Sequence, residues 1–313
     1  MGAYTLRRLL QLPLVLLGIS LVVFLIMALL PGDPALAILG PYATPEALAT
    51  LRAELGLDQP LWSRFWHWLS AALQGDLGRS ISLQRPVADE IAERLGPTLL
   101  LASSALGLSV LLGLAAGVAA AAHHGRWQDR TLTLGLLLGI STPQFWLALL
   151  LILVFAVWLQ WLPVSGMYAV YAGGGAADLL RHLLLPTISL AVVVTGVLAR
   201  LARGAMLEEL SRDYIRMARA KGLSEAQVVY RHALRNMLGR MLPVIGLQAG
   251  FLLGGAVYVE TLFQWPGLGR MLVDAFASRD LLLEQGGVLD MASDCVLVIV
   301  GADLVHERVV ARI

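Results

Sequence analysis

Between Arg212 and Asn236 the chain reads RDYIRMARAKGLSEAQVVYRHALRN, a basic stretch set between two long apolar runs. From Arg200 to Arg240 there are nine basic residues (Arg200, Arg203, Arg212, Arg216, Arg219, Lys221, Arg231, Arg235 and Arg240) against four acids (Glu208, Glu209, Asp213, Glu225), a net +5 in a chain only 14% charged. Nucleotide chemistry is excluded in its commonest form. Lys221 is the sole lysine and Gly222 follows it, whereas a phosphate-binding loop needs Lys followed by Ser or Thr after a glycine-rich turn. Nucleic acid is disfavoured because the stretch is short, tethered between the apolar runs and carries only Tyr214 and Tyr230 as aromatics for base stacking. What remains is docking, onto anionic lipid headgroups or against a protein partner. The pattern favours a partner: Asp213 can cap a first helix, Gly222 permits a sharp turn, and Ser224 can cap a second helix. The small residues Ala218 and Ala220 would allow a close approach.

Few other residues are placed for chemistry. Asp290 and Asp294 lie at i and i+4 on one helix face, with Asp303 beyond them. A carboxylate within a membrane costs about 2.5–3.5 kcal/mol and therefore faces a cavity or a partner, so these acids mark either a translocation path or a subunit interface. An aspartyl protease would need acids on two facing spans, and all three sit on one. His306–Glu307 begins a zinc-protease motif, but position 310 is Val. His123–His124 could bind a metal, though paired loop histidines are usually solvated. Cys295 is the lone cysteine and reads as core filler. No Gly-x-Ser-x-Gly elbow occurs. Glu260, at the end of an apolar run, reads as the acid most exposed to a path, or as a cap or salt-bridge partner.

The elements that must carry these residues are membrane spans. The chain has 313 residues, is 58% hydrophobic and has a mean hydropathy of +0.74. Crossing a bilayer takes roughly 20 apolar residues, and six segments are expected to do so: 9–30, 97–122, 131–162 with a kink at Pro143, 183–201, 241–260 and 281–304. The first is too long, and lacks the cleavage site, for a removable signal. The 31–96 segment carries five Arg and eight acids, so the positive-inside rule places it outside, with 204–238 and the N-terminus cytoplasmic. Leu61, Trp62, Phe65, Trp66, Trp68 and Leu69 recur at helical spacing, which suits a helix at the membrane interface or one buried against the spans. Gly75–Gly78 reads as a tight turn.

The residues Tyr214–Leu223 (YIRMARAKGL) and Arg231–Asn236 (RHALRN) resemble the cytoplasmic loop of permease subunits in ATP-binding-cassette importers, specifically the dipeptide, oligopeptide and nickel branch. So do Pro31–Pro34, Leu55–Pro60, Gly75–Gly78 with Pro86–Val87, Phe145–Leu147, Trp161–Gly166, Glu260–Phe263, Trp265–Arg270 and Arg279–Asp280, in order along nearly the whole chain. The long external segment is similar to that of the first of two paired permeases. The resemblance implies that Arg216, Ala218, Ala220, Lys221, Gly222 and Leu223 contact an ATPase subunit. It implies too that Glu260, Trp265, Pro266, Gly267 and Gly269 support an external gate. The last span departs from the family pattern at Asp290 and Asp294.

The expectation is an all-α, polytopic, six-span membrane protein of the type I importer permease fold, forming a single permease domain over 1–313. It would have no catalytic site, bound metal or cofactor of its own, with ATP and Mg held by the partner. Its partners would be a second homologous permease, two ATP-binding cassette ATPases, an external substrate-binding protein and membrane lipid, with no nucleic acid. Cargo would be dipeptides or oligopeptides, alternatively nickel or a nickel chelate. The competing class is an ion- or proton-coupled secondary carrier using the three aspartates.

Overall fold

The computed structural model describes residues 2–29, 34–40, 43–54, 56–169 and 174–310. Residues 31–33 of the Pro31–Pro34 motif, Leu55 and residues 311–313 lie outside these. The elements in order are α1 (Gly2–Leu29), α2 (Pro34–Leu39), α3 (Pro45–Glu54), α4 (Leu61–Leu73), α5 (Val87–Ala122), α6 (Trp127–Ser141), α7 (Gln144–Leu151), α8 (Ala176–Leu210), α9 (Asp213–Ala220), α10 (Glu225–Gln227), α11 (Leu234–Leu262), α12 (Leu268–Ser278) and α13 (Leu281–Val310). One π-helical stretch, Ile152–Trp158, follows α7, and another, Val228–Ala233, joins α10 to α11. Among the described residues the sole β feature is an isolated bridge between Arg79 and Pro86.

Four helices among the described residues are long and apolar enough to cross a membrane: Leu10–Leu29, Val87–Ala122, Ala176–Leu210 and Glu225–Leu262. The pair α6 and α7 would make a fifth. The expected sixth corresponds to α13, which is 30 residues long but carries the three aspartates and is not in that set. Two expectations are corrected. The 131–162 span is not a kinked helix but two segments bent by 99°. Thr142, forced out of the helical region by the following Pro143, is extended at φ −80°, ψ 122°, and α7 restarts immediately after the proline. The helices also overrun the apolar runs, so the ends of α8 and α11 enter the basic loop on either side of α9 and α10.

The chain divides into two compact units, Leu99–Trp265 with Cys295–Ile313, and Gly2–Thr98 with Pro266–Asp294. In the first, α8 is the central helix, packed by α6, α7 and α11. Its residues Leu190, Val194, Leu198, Ala202 and Met206 recur every four positions, and none is more than 0% exposed. Because lipid tails are as apolar as leucine, packing between spans depends on small residues that let backbones approach. Gly117 of α5 is such a residue: a Cβ there would stand 2.5 Å from the Ala199 carbonyl oxygen of α8. Ser109 Oγ also donates to the Ala191 carbonyl at 3.1 Å.

In the second unit, α4 lies on α1, with Phe65 and Leu69 buried around Phe24. Trp62, Trp66 and Leu73 stay exposed. One face of this helix is thus buried against a span, as the second reading expects, and the other is left exposed. Asp76 Oδ1 accepts from the Gly78 amide at 2.9 Å, and Gly75 and Gly78 take positive φ, forming the expected turn. Asp280, 1% exposed, clamps the following loop. Its Oδ2 accepts from Ser80 Oγ (2.6 Å), Ser82 N (2.9 Å) and Ser82 Oγ (2.8 Å), and its Oδ1 from the Leu283 amide at the start of α13 (3.2 Å). Asp280→Ala would leave several donors unpaired and should cost about 3 kcal/mol. The thermal midpoint of the detergent-solubilised protein should fall clearly, whereas Ser82→Ala, which removes one of these donors, should cost far less.

Candidate functional site

The basic loop is a double-capped turn. Helix α9 ends in a glycine cap: the Gly222 amide donates to the Arg219 carbonyl (2.9 Å) and the Leu223 amide to the Ala218 carbonyl (3.4 Å), with Gly222 at φ +82°. Ser224 then opens α10 with a full capping box, its Oγ accepting from the Gln227 amide (3.4 Å) while Gln227 Oε1 accepts from the Ser224 amide (3.1 Å). Arg219 bridges the turn to Glu225 at 2.8 Å, which holds that carboxyl below its usual range. The expected cap at the other end is corrected. Arg212 is the N-cap residue and offers no side-chain bond, while Asp213 is the first helical residue, 3.5 Å from Arg216.

The loop has an inner and an outer face. Ile215, Ala218, Val228, Val229 and Ala233 are buried in the same core as the α8 stripe, with Leu223 packed against it. Arg216, Met217, Arg219, Ala220, Lys221 and Gly222 are exposed. Ala218 is therefore corrected: three residues from Ile215, it faces inward and serves the protein's own packing, and the outer small residues are Ala220 and Gly222.

Beneath the loop lies an ionic base that sequence reasoning did not pick out. Glu209, 2% exposed, accepts from Tyr214 Oη (2.6 Å) and lies 3.3 Å from Arg212 Nε and 3.4 Å from Arg240 Nη1. Tyr214 in turn accepts from Asn236 Nδ2 at 2.9 Å. Burial, and then the Glu209 carboxylate, push the Tyr214 phenol up. Arg240 also reaches Glu208 at 2.6 Å and keeps it below the usual carboxylate range. One buried carboxylate thus ties the end of α8, the start of α9 and the start of α11 together.

A second clamp fixes the 123–130 turn to α8. Asp129, 4% exposed, takes two bonds from Arg203 at 2.7 Å and one from the Gly125 amide at 3.1 Å, with His124 Nδ1 at 3.3 Å. His123 instead turns its Nδ1 to the Ala119 carbonyl, so the two histidines do not share a metal position. The Arg203 guanidinium, ahead of the other partners, holds the Asp129 carboxyl well below the usual range. A depressed carboxylate stabilises fully above its unfolded pKa of about 4 and loses that contribution only as pH falls further. Asp129→Ala should cost about 2 kcal/mol, with equal penalties to the thermal midpoint at pH 7 and pH 5. A penalty that vanished at pH 5 would contradict the assignment.

The remaining expected residues fall in three places. Glu260 and Trp265 are each 0% exposed, and the Trp265 amide closes the turn onto the Glu260 carbonyl at 2.8 Å. Glu260 is therefore not the acid most exposed to a path; it is enclosed in its own subunit. Gly267 precedes α12, whose Leu268 amide donates to Thr98 Oγ1 at 2.8 Å, and Gly269 is buried. Asp290 and Asp294 are half-buried on α13, and the Oδ2 of each is buried with no hydrogen-bond partner among the described residues. Among those residues no three His, Cys, Asp or Glu side chains converge as a metal set.

Long apolar helices packed on a central one, with a charged loop at one end, are the architecture of a polytopic membrane protein. A family model described as "binding-protein-dependent transport system inner membrane component" matches residues 109–313, and its N-terminal counterpart matches residues 1–102. The chain belongs to this family of inner-membrane permease subunits of ATP-binding-cassette importers. It is similar to the glutathione transport system permease protein GsiC of Escherichia coli strain K12, 44% identical over 306 residues, covering 98% of this chain and 97% of GsiC. The GsiC of Shigella dysenteriae serotype 1 (strain Sd197) matches equally. Its fold is similar to that of a chain of the MetNI methionine ABC transporter in an inward-facing form, with TM-score 0.59 at 17% identity over 70% of this chain and 95% of that one.

Proposed function

We propose that this permease forms half of the path of an ATP-driven importer of short peptides, glutathione among them, and passes ATPase motion to its spans through the 204–238 loop. The observation that carries the reading is the two-faced loop. Arg216, Ala220, Lys221 and Gly222 stand outward on a turn whose inner face is continuous with the α8 core, so a push on the tip reaches the spans without slack. On this reading the permease is a single domain over 1–313 with six spans and a cytoplasmic N-terminus. Nucleotide and Mg sit on two ATPase subunits, a second permease completes the path, and a binding protein delivers cargo outside. Glu260, Trp265, Pro266, Gly267 and Gly269 shape the external gate. Asp290, Asp294 and Asp303 face the second permease, which would supply partners for the buried Oδ2 atoms of Asp290 and Asp294.

The test is uptake by proteoliposomes holding the full complex and its binding protein. Labelled glutathione or a dipeptide should enter only with ATP, and nickel should not compete. Uptake by this chain without the ATPase subunits, driven by an ion gradient, would replace the reading with a secondary carrier.

A further inference from the structure

We propose that a groove at the end of α1 holds the phosphate of a membrane phospholipid, with Arg64 as its charge partner. The groove has a volume of about 320 Å³ and is lined by Phe24 of α1, by Arg64, His67 and Trp68 of α4, and by Leu282 and Gln285 of α13, among others. It belongs wholly to the second unit, and its use of lipid depends on neither the cargo nor the sidedness proposed above.

Three observations point to this occupant. The first is charge. Arg64 is half-buried, its guanidinium carbon lies 5.9 Å from the centroid of the Phe24 ring, and that guanidinium has no ion-pair or hydrogen-bond partner among the described residues. Burial pulls its guanidinium below the usual value, as it must for a cation lacking a counter-charge. The described carboxylate on the groove wall, Asp76, is turned to the Gly78 amide instead. A buried guanidinium is stable when paired, and phosphate is a group that its fork of donors fits.

The second observation is depth. Phe24 lies five residues before the end of α1, about 7.5 Å along the helix, in the outer part of a hydrocarbon core about 30 Å thick. Arg64 holds its guanidinium carbon 5.9 Å from the centroid of that ring, close to the boundary that the heads of long cations seek.

The third is the company α4 keeps. Trp62, Trp66 and Leu73 are 62%, 45% and 81% exposed on the side of α4 turned away from Arg64, and tryptophan concentrates at the headgroup boundary, which sets α4 at that boundary. A lipid whose phosphate meets Arg64 can lay an acyl chain against Phe24 and Leu282 on the groove wall. Trp68, on the groove wall, also has a buried indole Nε1 with no acceptor among the described residues.

The experiment is native mass spectrometry of the full chain, purified with its partner subunits in mild detergent from a membrane containing phosphatidylethanolamine and phosphatidylglycerol. Wild type should retain one phospholipid adduct, Arg64→Ala should lower its occupancy at least fivefold, and Arg64→Lys should recover most of it. Retained subunit assembly would show that the variant folds. Equal lipid occupancy in wild type and Arg64→Ala would overturn the proposal. So would saturation of the site by inorganic phosphate with no adduct, which makes it a plain anion site. Loss of binding-protein docking in Arg64→Ala with the adduct intact would also overturn it, and would assign Arg64 to a protein interface.

Discussion

Gly222→Val should abolish ATP-driven uptake, by more than about tenfold, while the spans remain folded. The substitution meets no obstacle in space, since a Cβ at Gly222 would have nothing within 4 Å. Its effect lies in the backbone. At φ +82° an L-residue pays roughly 1–2 kcal/mol, and a β-branched one more, because its second γ-atom crowds the carbonyl. That strain competes with just two glycine-cap bonds and the Arg219–Glu225 bridge, and an exposed bridge is worth only about 0.2–1 kcal/mol. The cap should open and Ala220 and Lys221 should swing out of register. Co-purification of the ATPase subunits measures the docking directly. If they remain bound and uptake continues at the wild-type rate, the loop is not the coupling element. Lys221→Glu, which leaves the turn intact and reverses an exposed charge, separates loss of shape from loss of charge.

Glu209→Ala should damage transport more than it damages stability. Removing a buried carboxylate from an ion pair can cost 3–5 kcal/mol when the partner is stranded. Here the side chains of Arg212 and Arg240 are 51% and 40% exposed and can turn to water, so the cost in folding should be nearer 1–2 kcal/mol. The lost function is mechanical. Tyr214, Arg212 and Arg240 would no longer share an anchor, and α9 would be free to move without α8 and α11. ATPase subunits should still bind and hydrolyse ATP, but stimulation by loaded binding protein should fall about tenfold. Tyr214→Phe, which removes the bonds to Glu209 and Asn236, should show the same pattern more weakly. Full stimulation in Glu209→Ala would place the transmission elsewhere.

How much of this could be read from the residues depends on how local each cause is. The turn at Gly222 and the cap at Ser224 were legible because glycine and serine act within three or four positions. The inward turn of Ala218 was written in its spacing from Ile215, yet small residues also suit contact surfaces, and only the α8 stripe decides between the two. Asp213 was misplaced by one position, because an acid is equally at home as a cap or in the first turn. Pro143 announced a disturbance but not its size; the 99° bend follows from Thr142 taking an extended conformation. Glu209 was hidden among other charges, since its partners come from two other helices, α9 and α11. Asp280 had least chance of being seen, because the serines it holds lie about 200 positions earlier.

The π-helical stretch Val228–Ala233 carries a consequence of its own. A π turn holds one residue more than the α turn it replaces, and each residue of an α-helix turns the chain by about 100°. The capping box at Ser224–Gln227 is therefore out of phase with α11 by about a quarter of a revolution. Deleting any single residue from 228–233 would give a smoother helix, yet it would swing the whole docking tip around the axis of the span. In an alignment of related permeases a one-residue gap at that point is a change of direction, not a change of length.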